Sequence, residues 1–524
     1  MIITKDKIIF GPNDWTSGLN TQWDTTNLIE GAVIADATAF NPYKPYGVAA
    51  PGLGSTDVTN ISTVTGRIVS GIPKYSTGGL TKAILLGDDS LIHELTFATN
   101  TITASGGTFP HTIDHGHASE AGQDIITYSI GSTRYAFYSF TDATDWDIGR
   151  YDFVTTFDDD YMSTVAASPL AAPYITGGLG YPHPMIVGAD DVLYVGDRNY
   201  LHGFDGQVGA NGTFYAAVLT LPSGYVITSF GKTENFLVIF AYREDRSDVD
   251  GSVLGDATAF FWDYLSLDPT KVLDLDDNYV NGGFTWKGTV GCFTTGRPTE
   301  FWAGSSDNKK SDLRIFNGEE FEAVASFDDA PPIYRGVDVV SNEIMWNTNG
   351  RIYSYGEKVK GGGFKFNNIA IASSGSEVGF LKTLTTTKQY WSTGNGVGGG
   401  FIYTDTGKYS SGSFQTIFAK PDFPIGQIGR IKAVEVYLYN KGTASQNALT
   451  LNLELIGGST SEYTVISGVD VFTKNANIYW EDVNGAIFGN FIRAGIQVAW
   501  ATGGSQTNAP TIDTVIIHFE PINV

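Results

Sequence analysis

A two-strand unit that recurs about every 40–60 residues is the feature of this 524-residue chain that most limits its fold. In each copy an apolar strand ends in a polar turn, and a second apolar and aromatic strand follows. The second strands read LIHELTF, IGRYDF, YLHGFDG, TAFFWDY, LRIFNG, GRIYSYG and GFIYTDT. The seven copies lie at residues 83–97, 135–153, 192–206, 236–264, 301–318, 344–356 and 389–406. Because one such unit cannot bury both of its faces alone, the repetition predicts an all-β fold with a seven-bladed β-propeller.

The propeller is predicted to occupy residues 66–424, with polar loops inserted at 243–255 and 305–311. Residues 1–65 are less regular, because four prolines interrupt them after a short strand at 7–10. We expect residues 1–65 to form an extended segment over a larger body, one that could supply a strand to close the propeller ring.

The pattern changes near residue 414, and we predict a separate β-sandwich of jelly-roll type over residues 425–524. Leucines alternate with polar residues from Leu449 to Leu455, and the same alternation returns from Ile496 to Trp500. Alternation with a period of two places one set of side chains on a buried face and the other on a solvated face.

Charge and cysteine content restrict the partners and the chemistry of the chain. It carries 32 Lys and Arg against 56 Asp and Glu, a net charge of −24, which disfavours binding to a phosphate backbone. Cys292 is the single cysteine, so an intramolecular disulfide cannot form. The N-terminal residues lack the features of a signal peptide, and no apolar run reaches the length of a membrane helix, so we expect no membrane insertion.

The segment from His111 to His117 is the best candidate for a metal site, because it places three imidazoles and the carboxylate of Asp114 within seven residues. Imidazole nitrogens and carboxylates are common zinc ligands. Catalytic metal sites usually draw ligands from separate rigid elements, so a polar surface loop is the alternative, and we predict no metal here.

Two acidic stretches resemble calcium-binding loops in part. The first lies between Asp245 and Asp256, where carboxylates alternate before Gly251, but Arg246 holds the first ligand position and Ala257 the last. The second stretch contains Asp274, Asp276 and Asp277. We predict solvated acidic loops in both places, with calcium as the alternative.

No set of residues predicts a catalytic site or a cofactor. A propeller glycosidase would need two carboxylates that face a central cavity, and no pair stands out among Asp142, Asp145, Asp147, Asp158, Asp159 and Asp160. The aromatic residues could stack on sugars, but we expect most of them to pack between blades. The tryptophans considered are Trp146, Trp262, Trp286, Trp302, Trp346 and Trp391.

Both ends of the chain resemble tail and tail-nozzle proteins of tailed bacteriophages. The opening resemblance is carried by GLNT (18–21), DTTNLIEGA (24–32), AFNP (39–42), Gly47 and PG (51–52). The closing resemblance is carried by FQT (414–416), KP (420–421), RIK (430–432) and TIDTVIIHFEPI (511–522). The sequence departs from the family where Ser17 precedes Gly18 and where Gly31 follows Glu30 without a proline, which leaves the subfamily open.

The resemblance implies a virion structural protein without enzymatic residues, assembled in the host cytoplasm and placed in the tail. Its partners would be portal, adaptor or other tail proteins and further copies of itself in a closed ring, with DNA passing during genome ejection without specific binding. Two alternatives remain: a receptor- or carbohydrate-binding tail protein, and a polysaccharide-degrading propeller enzyme.

Overall fold

The computed structural model describes most of the chain, and strands account for nearly all of its regular structure. The residues described are 1–11, 34–38, 53–59, 64–76, 79–104, 107–116, 120–142, 144–177, 180–244, 256–296, 311–327, 329–340, 342–348, 351–357, 364–371, 379–385, 388–393, 400–408, 411–416, 418–440, 447–457, 462–470, 477–481, 489–502 and 511–523.

In chain order, the strands begin with β1 Ile2–Ile3, β2 Lys7–Phe10, β3 Ile34–Thr38, β4 Leu53–Asp57, β5 Ile68–Ser76, β6 Gly79–Gly87, β7 Leu91–Thr96, β8 Thr101–Ile102, β9 His111–Thr112, β10 Ala121–Ile130, β11 Thr133–Thr141, β12 Trp146–Tyr151 and β13 Phe157–Asp158. They continue with β14 Met185–Val187, β15 Leu193–Asp197, β16 Tyr200–Asp205, β17 Thr213–Thr220, β18 Tyr225–Lys232, β19 Leu237–Arg243, β20 Ala257–Trp262, β21 Lys271–Asp274, β22 Tyr279–Trp286, β23 Thr289–Thr295, β24 Ser311–Phe316, β25 Phe321–Phe327 and β26 Val337–Val340. The last strands are β27 Glu343–Thr348, β28 Arg351–Glu357, β29 Phe364–Ile371, β30 Leu381–Thr383, β31 Gln389–Thr393, β32 Gly400–Lys408, β33 Ser411–Thr416, β34 Gln427–Asn440, β35 Asn447–Ile456, β36 Glu462–Asp470, β37 Asn477–Glu481, β38 Asn490–Phe491, β39 Arg493–Thr502 and β40 Thr511–Asn523.

Three short helical turns interrupt the strands of the described part: a π-helical turn at Tyr161–Val165, one α-helical turn at Tyr174–Gly177 and a 3-10 turn at Tyr334–Gly336. Across the described ranges, the structure contains no helix with the length and apolar character needed to cross a bilayer.

The chain divides into two compact units, and the larger one consists of Asp57–Gly350 and Ala372–Tyr403. It contains five antiparallel sheets whose strands follow chain order: β5-β6-β7-β8 with β9 beside β7, β10-β11-β12-β13, β14-β15-β16-β17, β18-β19-β20-β21 and β22-β23-β24-β25. The hairpins β26–β27 and β30–β31 follow in the same unit. An all-β fold built from small antiparallel sheets is therefore confirmed.

The first four predicted two-strand units coincide with the two middle strands of the first four sheets. In the third sheet, for example, β15 is buried throughout and pairs with β16 over residues 193–204. Middle strands are covered on both faces, so they give the continuous apolar runs that the sequence displays. The outer strands β13 and β21 are short and partly exposed, and their sequence signal is correspondingly weak.

The fifth unit was predicted wrongly. Its second strand is β24, as predicted, but the partner of β24 is β23 at Thr289–Thr295 rather than a strand that begins at residue 301. Residues 297–310 lie outside the described residues. Because β23 ends at Thr295 and β24 begins only at Ser311, the first strand of the fifth unit was predicted too close to the C-terminus.

The first strands of consecutive sheets are neighbours in the larger unit. Strand β5 lies beside β10, β10 beside β14, β14 beside β18, β18 beside β22, β22 beside β26 and β26 beside β30. The hairpin β30–β31 also contacts the first sheet, because Ser392 Oγ donates a hydrogen bond of 2.7 Å to Ile68 O and Tyr390 Oη donates one of 2.8 Å to Asn100 Oδ1.

The smaller unit consists of Met1–Thr56, Arg351–Ile371 and Thr404–Val524. It contains the hairpin β28–β29 and two antiparallel sheets, of strand order β1-β2-β40-β34-β37, with β38 beside β34, and β3-β33-β39-β35-β36. The alternation predicted for β35 and β39 is confirmed, since Leu449, Leu451 and Leu453 are buried opposite Trp500, Val498 and Ile496.

Candidate functional site

The metal-site candidate His115 lies in the segment after β9, beside three of the acidic residues among which the sequence showed no clear pair. We call His115, Asp145, Asp147 and Asp160 the His115 cluster. The Nε2 atom of His115 is 3.4 Å from Asp145 Oδ1, and its Nδ1 atom is 3.7 Å from Asp147 Oδ2. The same Nδ1 atom is hydrogen bonded to Asp160 Oδ1. One imidazole therefore stands among three carboxylates.

Three separate elements position these side chains. His115 follows β9, Asp147 is the second residue of β12, and Asp160 directly precedes the π-helical turn that begins at Tyr161. Asp147 is fully buried, whereas the side chain of Asp160 is 47% exposed. The backbone N–H of Ile148 donates a hydrogen bond of 2.7 Å to Asp147 Oδ1, and Ser163 Oγ donates one to Asp147 Oδ2. These bonds hold one oxygen of Asp147 toward the imidazole.

Burial and charge act in opposite directions on the His115 cluster. Burial raises the pKa of Asp147 to about 7, although the hydrogen bonds from Ser163 and Ile148 and the nearby imidazole act to lower it. Burial alone would lower the pKa of His115, but Asp147, Asp160 and Asp145 outweigh it and raise the pKa of the imidazole. The cluster therefore favours a cation between its carboxylates.

A second histidine of the same segment is anchored nearby. His111 Nε2 lies 3.1 Å from each oxygen of Asp159, and the imidazole stacks on Phe157 with a centroid distance of 3.7 Å. Asp159 also accepts hydrogen bonds from Tyr138 Oη and, at 3.0 Å, from the backbone N–H of Asp114. These bonds lower the pKa of Asp159 although burial acts to raise it. This pair fixes the segment that carries His115.

A second group of histidines, which is fully buried, lies at the third sheet. We call His183, Asp197 and His202 the His183 group; all three side chains have no exposed surface. His183 Nε2 is 3.9 Å and His202 Nε2 is 3.5 Å from the Asp197 carboxylate. Burial lowers the pKa of His183 to about 3, so its imidazole is neutral. The backbone N–H of Ala217 donates a hydrogen bond of 3.0 Å to His202 Nδ1.

A cavity of about 470 Å³ opens in the larger unit where the first strands of its sheets are neighbours. Four tyrosines, Tyr181, Tyr242, Tyr279 and Tyr334, line it together with the amides of Gln123 and Asn281. The Tyr242 and Tyr279 rings lie 5.0 Å apart between centroids. The cavity thus combines aromatic faces with amide donors and acceptors.

The cavity also has two carboxylates, those of Asp88 and Glu244. Asp88 is ion-paired with Arg67, with 3.4 Å between Asp88 Oδ2 and Arg67 Nε. Burial raises the pKa of Tyr181, and the charge of Glu244 and its hydrogen bond to the phenol act in the same direction. The six aspartates considered from the sequence as glycosidase acids, Asp142, Asp145, Asp147, Asp158, Asp159 and Asp160, are absent from the described lining.

One buried carboxylate beside the cavity, Asp124, was not singled out from the sequence. Arg335 donates to both of its oxygens, at 2.7 Å from Nε and 2.9 Å from Nη2. Ser70 Oγ and the backbone N–H of Met185 donate further hydrogen bonds, each of 2.8 Å. Asp124 therefore joins β5, β10, β14 and the 3-10 turn. An isolated Asp on an apolar strand is the only sequence signal for it.

The other candidates from the sequence are dispersed or cannot be placed. His117, Trp302 and residues 245–255, including Asp245, lie outside the described residues. Asp274 accepts a hydrogen bond of 2.9 Å from the backbone N–H of Asp276, and Asp277 is ion-paired with Arg314 at 3.1 Å, so these acids form no joint site. The expectation that tryptophans pack in the core is confirmed for Trp146, Trp262, Trp286, Trp346 and Trp391, which are at most 5% exposed.

No family model matches the sequence, and no curated protein matches it. Among solved structures, the chain is similar to the Dos1 propeller, with 11% identity over 67% of this chain and 94% of that chain and a TM-score of 0.40. It is also similar to YCF48 bound to D1 peptide, with 9% identity over 68% of this chain and 97% of that chain and a TM-score of 0.41. The computationally designed Ika8 protein is similar at 11% identity over 66% of this chain and 99% of that chain, with a TM-score of 0.39.

Proposed function

We propose that the chain is a non-enzymatic structural component of a bacteriophage virion, a ring-forming tail protein of the nozzle or tail-hub type at the portal–tail axis. In this proposal the larger unit is a seven-bladed propeller. Its five complete sheets and the strands β26–β27 and β30–β32 supply the blades, and the two sheets of the smaller unit form a jelly-roll sandwich. A strand from residues 1–65 closes the propeller ring.

The observation that carries this proposal concerns the two sequence stretches that resemble phage tail proteins. The opening stretch contains β3, and the closing stretch contains β33, β34 and β40. Strand β3 pairs with β33 from Ile34 to Thr38, and β2, which precedes the opening stretch, pairs with β40 from Lys7 to Phe10. Both stretches thus contribute to one compact unit, as expected if they were retained together as one module.

A closed ring of identical subunits forms through one repeated interface. The experiment is to measure the native mass of the purified full chain by light scattering and to image the same sample by electron microscopy, alone and with portal, adaptor and tail proteins. The proposal predicts a ring, or incorporation into a ring with those proteins. A chain that stays monomeric in every mixture would contradict it.

The cavity favours a second candidate function, carbohydrate binding by a receptor-binding tail protein. Tyrosine rings can cover the apolar face of a sugar, and the amides of Gln123 and Asn281 can pair with its hydroxyls. The four tyrosines of the cavity are the specific observation behind this alternative.

Glycan-array binding tests the second candidate with a matched pair of variants. Tyr181→Ala removes a ring from the cavity, whereas Tyr215→Ala removes a ring from β17 that is 42% exposed and does not line the cavity. Loss of one stacked ring should weaken sugar binding by about 3–10-fold. Binding that is equal in the two variants would place any glycan site elsewhere.

A further inference from the structure

We propose that His115, Asp147 and Asp160 bind one divalent transition-metal ion of the Zn²⁺ class. The ion would fasten the segment after β9 and the turn after β13 to β12. This inference is independent of the virion proposal, because it concerns a local site formed by β12 and the segments after β9 and β13.

The donor atoms lie close enough together for one ion, although Asp160 Oδ1, which is hydrogen bonded to His115 Nδ1, would have to move away from it. One ligand atom from each of the three side chains lies within 4.8 Å of the other two. A tetrahedral zinc ion with bonds of about 2.0–2.2 Å separates its ligand atoms by about 3.3–3.6 Å. His115 Nδ1 and Asp147 Oδ2 are 3.7 Å apart, so small side-chain rotations would bring them to zinc geometry.

The remaining carboxylate of the His115 cluster has the role of an orienting partner. Asp145 Oδ1 faces Nε2 of His115 at 3.4 Å, on the ring edge away from Asp147 and Asp160. Metal-bound histidines usually donate their second N–H to such a carboxylate, which presents the other nitrogen to the ion. This arrangement assigns Nδ1 of His115 as the ligand atom.

The donor types select the class of ion. One imidazole nitrogen with carboxylate oxygens suits zinc and similar transition metals, whereas calcium takes six to eight oxygen ligands. Asp147 has no exposed surface, and a divalent ion would neutralise its charge together with that of Asp160. The 47% exposure of Asp160 gives the ion a path from solvent.

Isothermal titration of the chelator-treated full chain with zinc chloride tests the proposal, with Asp160→Asn and Asp158→Asn as matched variants. Both remove one negative charge from the same turn. Asp158 lies 3.5 Å from Arg150 and is not one of the three proposed ligands, so its variant is the control. We expect one zinc ion per wild-type chain, similar affinity in Asp158→Asn, and at least about 10–100-fold weaker binding in Asp160→Asn.

A spectroscopic measurement keeps the test independent of variant stability. Cobalt(II) added to the wild-type chain should give visible absorption bands of a four-coordinate ion, and one equivalent of zinc should abolish them. Absence of zinc binding by the wild-type chain would overturn the proposal. Equal zinc affinity in Asp160→Asn and Asp158→Asn would overturn it as well.

Discussion

The His115 cluster and the His183 group contain the same residue types in neighbouring sheets, yet their electrostatics are opposite. The first places one imidazole among three carboxylates, and Asp160 reaches solvent. The second places two imidazoles beside one carboxylate with no exposed surface at all. The pKa of His115 is raised, whereas that of His183 is lowered to about 3. The number of nearby carboxylates and the access of water, rather than residue type, decide in which direction the pKa of each histidine shifts.

Consecutive residues of β12 separate the two environments. Side chains of adjacent strand residues point to opposite faces, so Trp146 and Asp147 face different neighbours. The Trp146 ring stacks on His183 with a centroid distance of 4.1 Å, while Asp147 faces His115. Substitutions on either side of β12 should therefore affect stability and its pH dependence differently.

Trp146→Ala should have the largest effect, because it removes the ring that packs against the His183 group and lies next to Asp147. The ring has no exposed surface, and its Nε1–H donates a hydrogen bond of 2.9 Å to Tyr174 O. Truncation of a buried tryptophan costs about 3–5 kcal/mol of unfolding free energy. Urea denaturation measures this loss; a loss below about 1 kcal/mol would show that the ring is not a packed core element.

Asp147→Asn should change how stability depends on pH, by about 1–3 kcal/mol at neutral pH. The pKa of Asp147 is raised to about 7 from an ordinary value of 3.8, so the folded chain retains a proton that the unfolded chain releases. The wild-type chain therefore loses stability as pH rises through about 7. Urea unfolding midpoints, measured in the presence of a chelator at about pH 5 and pH 8, test this. The midpoint of the variant should rise relative to that of the wild type as the pH increases. A constant difference between the two would contradict the assignment.

His183→Phe should show the opposite slope, with an effect of about 1.4 kcal/mol at about pH 5.5 that grows as pH falls further. The pKa of His183 is lowered from 6.5 to about 3, so only the unfolded chain takes up a proton between these values. The wild-type chain loses stability as pH falls through that window, and phenylalanine removes this loss. Acid denaturation curves of the two proteins should diverge below about pH 6 and run parallel above it.

Asp158→Asn should have the smallest effect, below about 0.5 kcal/mol. Its carboxylate is 32% exposed and 3.5 Å from Arg150 Nη2, an ion pair of the partly exposed kind that contributes little. Thermal unfolding of this variant should overlay that of the wild type. A large loss of thermal stability would mean that acids outside the His115 cluster also contribute to the stability of this region.

The sequence predicted those parts of the molecule that have a continuous or alternating apolar pattern. The middle strands β15 and β20 were found because both of their faces are buried, and β35 because its leucines alternate. The short outer strands such as β13 carry too few residues to show a period. The partner of β24 was misplaced because the polar stretch at 305–311 was interpreted as the loop after a strand that begins at residue 301, whereas β23 ends at Thr295.

The sequence identified the residues of the candidate site but did not predict that they lie together. The segment that contains His115 and the acids near Asp147 and Asp160 stood out separately, about 45 residues apart or less. These residues are brought together by the pairing of β12 with β11 and β13 and by the path of the chain after β9. A local sequence pattern predicts neither of these. Asp124 stayed hidden for the same reason, because its partner Arg335 is distant in sequence.

Zinc-edge anomalous diffraction from crystals of the full chain grown with zinc would compare the two histidine environments in one measurement. We expect an anomalous peak among His115 Nδ1, Asp147 and Asp160 and none at the His183 group. A peak between His183 and His202 would contradict the proposed zinc site. So would the absence of a peak at the His115 cluster when zinc fully occupies another site.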